Sequence, residues 1–320
     1  MLFRSLEKKN STNALPANPG ARGQSGLMPV AAYRRQAALL LLPYLVGALF
    51  LVGLPILLAF SLSLFAYDGL SSPTWSGGNN FSEALNEPLF RVAVVNSLRF
   101  VFLSVPLRLA AALGLALLLS RPRRGSGLFR AAVYLPSVVP EVAYALLWLW
   151  ILNPIYGPLN QGLRWLGFSA PAWLVDQQTA LPALVMMSLF TIGEGFIILL
   201  AALKTIPSET YEAAWVDGSS RWQALRYLTL PLLWPWLILL LFRDVILTFQ
   251  TTFTPAYIMT NGGPYYATYF LPLLIFEEAF DRLRFGVSSA MMVMMILINL
   301  GLLFLLYGIF QRWDYDEGQD

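Results

Sequence analysis

Long apolar runs separated by polar connectors dominate the chain. Six of them stand near residues 38–65, 92–119, 128–152, 180–203, 232–256 and 286–310. Each is long enough, at about 1.5 Å per helical residue, to cross a hydrocarbon core of roughly 30 Å. The pattern predicts an all-α, polytopic membrane domain of six transmembrane helices over residues 37–312. Residues 1–36 are rich in Asn, Ser, Pro, Gly and Arg with little apolar periodicity, which predicts a disordered N-terminal tail. Residues 313–320 form a short polar C-terminal tail. The first apolar run starts too late, and lacks a following small-residue cleavage site, to be a cleaved signal peptide.

Charge then orients the spans. Arg121, Arg123, Arg124 and Arg130 crowd the second connector, and Lys8, Lys9, Arg34 and Arg35 precede the first span. Connectors one, three and five are poor in basic residues near the span ends, with Arg282 and Arg284 as exceptions. The positive-inside bias therefore places both termini, and the connector 204–231, in the cytoplasm. Trp148, Trp150, Trp165 and Trp173 would form an outer aromatic belt, and Trp234, Trp236 and Trp313 an inner one. The small net charge of +3 is absorbed by this topology and gives no reason to invoke nucleic acid. The 320 residues include no cysteine and no histidine, so disulfides say nothing about compartment, and the commonest metal ligand and neutral-pH base are missing.

Connector 204–231 has more order than a simple link requires. Pro207 and Ser208 mark a helix start, with Ser208 as N-cap and Glu209 in the first turn. Gly218 suits the left-handed residue that ends that helix, and Ser220 suits the cap of a second one. Pro231 needs no backbone donor as the fifth span begins. Taken alone, this is also the pattern of an amphipathic loop lying on the membrane surface.

The spacing decides between them. Glu212-Ala213-Ala214, three residues, Gly218, nine residues, then Leu228-Thr229-Leu230-Pro231 resembles the cytoplasmic coupling motif of permease subunits in binding-protein-dependent ABC importers. Leu135-Pro136 through Pro140, Asn153-Pro154-Ile155-Tyr156-Gly157-Pro158-Leu159-Asn160 and Thr260-Asn261-Gly262-Gly263-Pro264 resemble the carbohydrate-uptake branch, of the maltose and glycerol-phosphate type. The resemblance implies a type I ABC importer permease fold in a prokaryotic cell membrane. It also implies coupling through Glu212, Ala213, Ala214, Asp217, Gly218, Leu230 and Pro231. The implied partners are a second homologous permease (a heterodimer), two ATPase subunits and an external solute-binding protein. The chain has no Walker A pattern, so ATP and Mg belong to the partner ATPases, and no cofactor, metal or catalytic residue is assigned to this chain.

Charges inside the spans carry the remaining chemistry. Arg99, Arg108 and Arg243 face a matching set, Glu141, Glu194 and Asp244, and the balance of signs predicts ion pairing. An unpaired charge at the bilayer centre costs at least about 2.5 kcal/mol, so these groups face protein or water. Arg243 and Asp244, being adjacent, should point apart to partners on other helices. Thr191, Gly193 and Glu194 lie where two glycines open span four, and Glu141 follows Pro140. Thr248, Gln250, Thr251 and Thr252 make a polar patch on span five. By resemblance these residues line a sugar path, although the family has an aromatic where Glu194 stands. A carboxylate at Glu194 would also tolerate a cationic amino sugar. The plain alternative is a structural ion-pair network with hydroxyls bonded to their own helix carbonyls. Gly262, Gly263 and Pro264 form either a tight turn or a docking surface for the binding protein. Met291, Met292, Met294 and Met295 read as adaptable helix packing.

Two other functions fit parts of the pattern: an intramembrane enzyme using Glu141, Glu194 or Asp244 as acid and base, and a secondary transporter driven by a proton on Glu194. Neither accounts for the coupling motif, and neither identifies the solute.

Overall fold

The computed structural model describes residues 30–121 and 124–311. Most of the predicted N-terminal tail, the C-terminal tail, and Lys8, Lys9, Arg123 and Trp313 lie outside the described residues. The chain divides into two units, ending and beginning at Leu57 and Leu58. The first unit is helical from Val30, inside the stretch predicted as tail. Helix α1 (Val30–Ala48) passes through a π-turn at Leu49–Gly53 into α2 (Leu54–Leu62), which crosses the division. From Ala38 to Leu62 this run is apolar and long enough to cross a bilayer.

The second unit opens with a two-residue ladder, β1 (Phe65–Ala66) antiparallel to β2 (Thr74–Trp75), a small departure from the all-α expectation. Helix α3 (Asn79–Asn86) follows, then α4 (Pro88–Leu119), a single 32-residue helix. The third predicted span is two pieces, α5 (Ser126–Tyr134) and α6 (Glu141–Ile151). They meet at 105° across a 3₁₀ turn, Leu135–Val138. Pro136 and Pro140 explain the break, because neither donates a backbone N–H and each disfavours helix in the residue before it. After α7 (Pro158–Trp165), the fourth span is again two pieces, α8 (Ala180–Ser188) and α9 (Gly193–Thr205), bent by 43°.

Helix α10 (Ser208–Val216) leads into α11 (Arg221–Thr260), a run of 40 residues. Pro231 does not begin this helix. The chain is already helical ten residues earlier, and a π-turn at Leu225–Thr229 precedes the proline, with Leu230 N–H bonding back to Leu225. Such a bulge lets a helix carry a proline without breaking. Helices α12 (Leu271–Phe276) and α13 (Phe285–Gln311) complete the chain. Among the described residues, four helices therefore have bilayer length and composition, or up to six spans if each bent pair is one.

Packing in the second unit is organised on α4. Its C-terminal half meets α9 and α11 through Ala112, Ala116, Phe196, Leu199, Ala202, Leu233, Leu237 and Leu240. Small residues at Ala112, Ala116 and Ala202 let backbones approach, which matters where lipid competes equally for apolar surface. The N-terminal half of α4 packs Phe100 against Phe270, and Asn96 and Ser97 bond the backbone of Tyr266, Tyr269 and Leu271.

The two exceptions to the basic bias, Arg282 and Arg284, are neutralised. Arg282 pairs with Glu278 and Glu87, and Arg284 pairs with Glu278 and Glu83. Glu278 is fully buried, and that burial pushes its carboxyl above the usual range against the pull of Arg284 and Arg282. The Trp belts are only partly surface features: Trp148 is buried against Phe190, and the Trp173 indole donates to Asn160 at 2.7 Å, whereas Trp150 and Trp165 are exposed.

Candidate functional site: a cavity between two broken helices

The two breaks lie against each other. The Gly193 N–H donates to the Ser137 hydroxyl at 2.9 Å, and a Cβ on Gly193 would stand 2.6 Å from that oxygen and 2.9 Å from Tyr134 Cα. Gly193 is therefore a contact residue between breaks. Its side-chain position is filled by α5 and the 3₁₀ turn. Tyr144 on α6 adds a second tie, donating to the Met187 carbonyl at 2.8 Å.

Beside this junction is a cavity of about 270 Å³. The breaks contribute Pro136, Ser137, Val139, Thr191 and Ile192; α4 contributes Phe100, Arg108, Leu109 and Ala112; and α6 contributes Glu141 and Tyr144. Leu184, Met187 and Ser188 of α8, and Glu194 and Gly195 of α9, close one side. Helix α11 supplies Leu240, Arg243, Asp244, Leu247, Thr251 and Pro255, one helical face at spacings of three and four. Interrupted helices at membrane depth are tolerated where they line a cavity, which is the arrangement here.

Five charged side chains reach this cavity. Asp244 stands between two guanidiniums, 3.1 Å from Arg243 Nη1 and 3.8 Å from Arg108 Nη2. Arg243 also pairs with Glu194 across from α9. Arg243 and Asp244 do find partners on other helices, but they do not point apart. They bond each other as well, because the long guanidinium folds back over the shared cavity face. Glu141 is outside this group, exposed, and accepts from the Thr254 hydroxyl at 2.9 Å. Arg99 makes no ion pair among the described residues. It is exposed on α4 near Val95, Leu98, Phe102 and Leu103, about 30 Å along the helix from Leu119.

The polar patch of span five separates by face. Thr251 lines the cavity. Thr248 and Thr252 are buried in packing and donate to the carbonyls of Asp244 and Phe249, at 2.6 Å and 3.3 Å. Gln250 is exposed away from the cavity wall. Thr254 and Ser137 were not singled out from sequence. Thr254 follows Thr251 by three residues, a spacing that marks the shared side.

At the other end of α11 is the ordered connector. Gly218 has φ +81°, with open space where a Cβ would be, so the backbone conformation alone calls for glycine. Ser219 N–H bonds the Ala214 carbonyl and closes α10. Pro207, not Ser208, takes the cap position of α10. Ser220 caps α11 in a reciprocal box with Gln223. Glu212, Ala213, Asp217 and Gly218 are exposed, Ala214 and Leu230 half-buried, and Pro231 exposed. Glu212 makes no ion pair among the described residues. Tyr211, also missed from sequence, contacts the Thr229 hydroxyl at 3.0 Å, and Thr229 in turn bonds the Ala224 carbonyl.

The remaining sequence motifs are self-bonded turns. Asn153 accepts from the N–H groups of Ile155 and Tyr156, while Asn160 donates to the carbonyls of Pro154 and Pro171. In the Gly262-Gly263-Pro264 turn, Thr268 bonds Thr260 at 2.6 Å and the Gly263 carbonyl at 2.7 Å. A Cβ on Gly262 would strike the Tyr269 ring at 2.4 Å.

Comparison with known proteins places this architecture. Residues 109–315 match the family described as binding-protein-dependent transport system inner membrane component. A probable ABC transporter permease of Bacillus subtilis is 33% identical over 284 residues, covering 87% of this chain and 91% of the relative. The trehalose/maltose transport system permease protein of Thermococcus litoralis is 32% identical, covering 86% and 94%. A bacterial alginate ABC transporter, crystallised with its alginate-bound periplasmic protein, has a chain of the same fold, with TM-score 0.76, 22% identity and coverage of 90% and 98%. The chain belongs to the family of binding-protein-dependent transport system inner membrane components, the permeases of ABC importers.

Proposed function

We propose that this chain forms half of the membrane pathway of an ATP-driven importer of sugars or sugar derivatives. Its six spans leave both termini in the cytoplasm of a prokaryotic cell. It pairs with a second, homologous permease. The connector 204–231 docks through Glu212, Ala213 and Ala214 into one of two ATPase subunits, which hold ATP and Mg. An external binding protein delivers solute to the opposite face.

One observation carries this reading. Helix α11 starts in the connector and continues to the cavity wall at Arg243, Asp244 and Thr251. Movement that reaches Arg221 is therefore carried to the cavity through a single helix, at about 1.5 Å per residue. The hydroxyls of Ser137, Ser188, Thr191 and Thr251 in that cavity suit polyols because each can both donate and accept. The Gly262-Gly263-Pro264 turn on the outer side offers a rigid surface for the binding protein.

The test is uptake of radiolabelled sugar by proteoliposomes holding the whole complex. Uptake should need ATP and liganded binding protein, stop with vanadate, and fall strongly in Glu212→Lys. Uptake driven by a proton gradient without ATP would exclude this function.

A further inference from the structure

The cavity charges do not cancel. Arg108, Arg243, Asp244 and Glu194 form a connected set, two cations and two anions, tied by three contacts. Glu194, the carboxylate that the sequence offered to a cationic solute, is already committed to Arg243. Glu141 is the remaining anion. It sits at the start of α6, exposed to the cavity, and its bonded partner is the neutral hydroxyl of Thr254. No cation pairs with it among the described residues, and Tyr144, the other titratable group on this wall, donates its hydroxyl to a carbonyl. The sum over the wall is one negative charge.

A charge in a confined, partly apolar space acts at higher effective strength than in water. It attracts a cationic group, leaves a hydroxyl free to donate, and repels a carboxylate, sulfonate or phosphate. Glu141 also has the geometry to discriminate, since Thr254 fixes one oxygen and leaves the other to meet a solute. We propose that Glu141 makes this path charge-selective, admitting neutral and amino-bearing glycosides and turning away sugar acids and sugar phosphates. The proposal rests on the sugar-importer function for its solute class, but the charge itself is measurable without any sugar.

The chain has no cysteine, so Thr251→Cys places a single thiol on the cavity wall. In the full complex, with cysteine-free partners, that thiol is titrated with a trimethylammonium and a sulfonate methanethiosulfonate reagent of similar size. Rates are normalised to the same reagents on a free thiol in solution. The cationic reagent should be favoured about tenfold or more. Glu141→Gln should bring the ratio to within about twofold, and Glu141→Asp, which keeps the charge, should restore it. A ratio near one in the parent, or a ratio unmoved by Glu141→Gln, overturns the proposal. Uptake then separates the two ideas. If the ratio behaves as expected but no sugar is carried, the sugar-importer function fails and the glycoside part of the proposal fails with it. If neutral disaccharide uptake proceeds and the ratio is flat, only the charge selectivity fails.

Discussion

Tyr211 and Thr229 are held hydroxyl to hydroxyl, 3.0 Å apart, across the Gly218 bend. The contact fastens helix α10, which presents Glu212, to helix α11 just where its π-turn precedes Pro231. Without it, the two helices lose a hydrogen bond across the link through Gly218, and more of a push on α10 is spent in bending that link. Tyr211→Phe removes a bond worth about 1 kcal/mol and leaves the ring in place. Sugar taken up per ATP hydrolysed should fall several-fold while ATPase binding persists, which a paired uptake and phosphate-release assay checks.

Glu212 is exposed and unpaired among the described residues, so its substitution should not disturb the fold. Glu212→Lys is expected to leave membrane insertion and thermal stability unchanged. Co-purification of the ATPase subunits should nevertheless be lost or sharply reduced.

The threonines of α11 separate solute contact from packing. Thr251→Ala, on the cavity wall, should raise the half-saturating sugar concentration roughly three- to tenfold with no change in stability, since a lost neutral hydrogen bond is worth about 1 kcal/mol. Thr248 is fully buried and bonded to the Asp244 carbonyl, so Thr248→Ala should lower the melting temperature instead. Parallel transport and thermal-shift curves on the two variants check the split.

Asp244 holds two guanidiniums together. Asp244→Asn leaves Arg108 and Arg243 facing each other with only Glu194 to compensate, and should cost about 2–4 kcal/mol of stability. Adding Arg108→Gln should return part of that loss. A double-mutant cycle read by chemical unfolding in detergent gives the coupling.

Much of this was legible in the sequence because long apolar helices and helix ends leave strong local marks. Apolar length located the four bilayer-length helices, and Gly218 and Ser220 announced the bend and the cap, since positive φ and an exposed helix end each demand particular residues. Gly193 and Gly195 already marked an opening in span four, whereas the break at Pro136 was hidden for the opposite reason. Hydropathy counts apolar residues and is blind to a 105° turn among them. The fit of Gly193 against Ser137 joins residues 56 apart in sequence and leaves no periodic trace. Arg243 and Asp244 misled because sequence neighbours normally diverge on a helix, whereas two side chains bordering one cavity are drawn together. The helical register of α11 was available all along. At roughly 100° per residue from Leu240, Thr251 returns to within about 20° of it, whereas Thr248 and Thr252 stand roughly 80° and 120° round the helix.

The central claim is that ATP acting at the connector rearranges the cavity. The single thiol of Thr251→Cys reports it directly, through its modification rate from the outer side of proteoliposomes with and without ATP–vanadate trapping of the ATPases. The rate should change between the two states, and the change should vanish when Glu212→Lys is added. A rate indifferent to nucleotide, in a complex shown to hydrolyse ATP, would contradict the account.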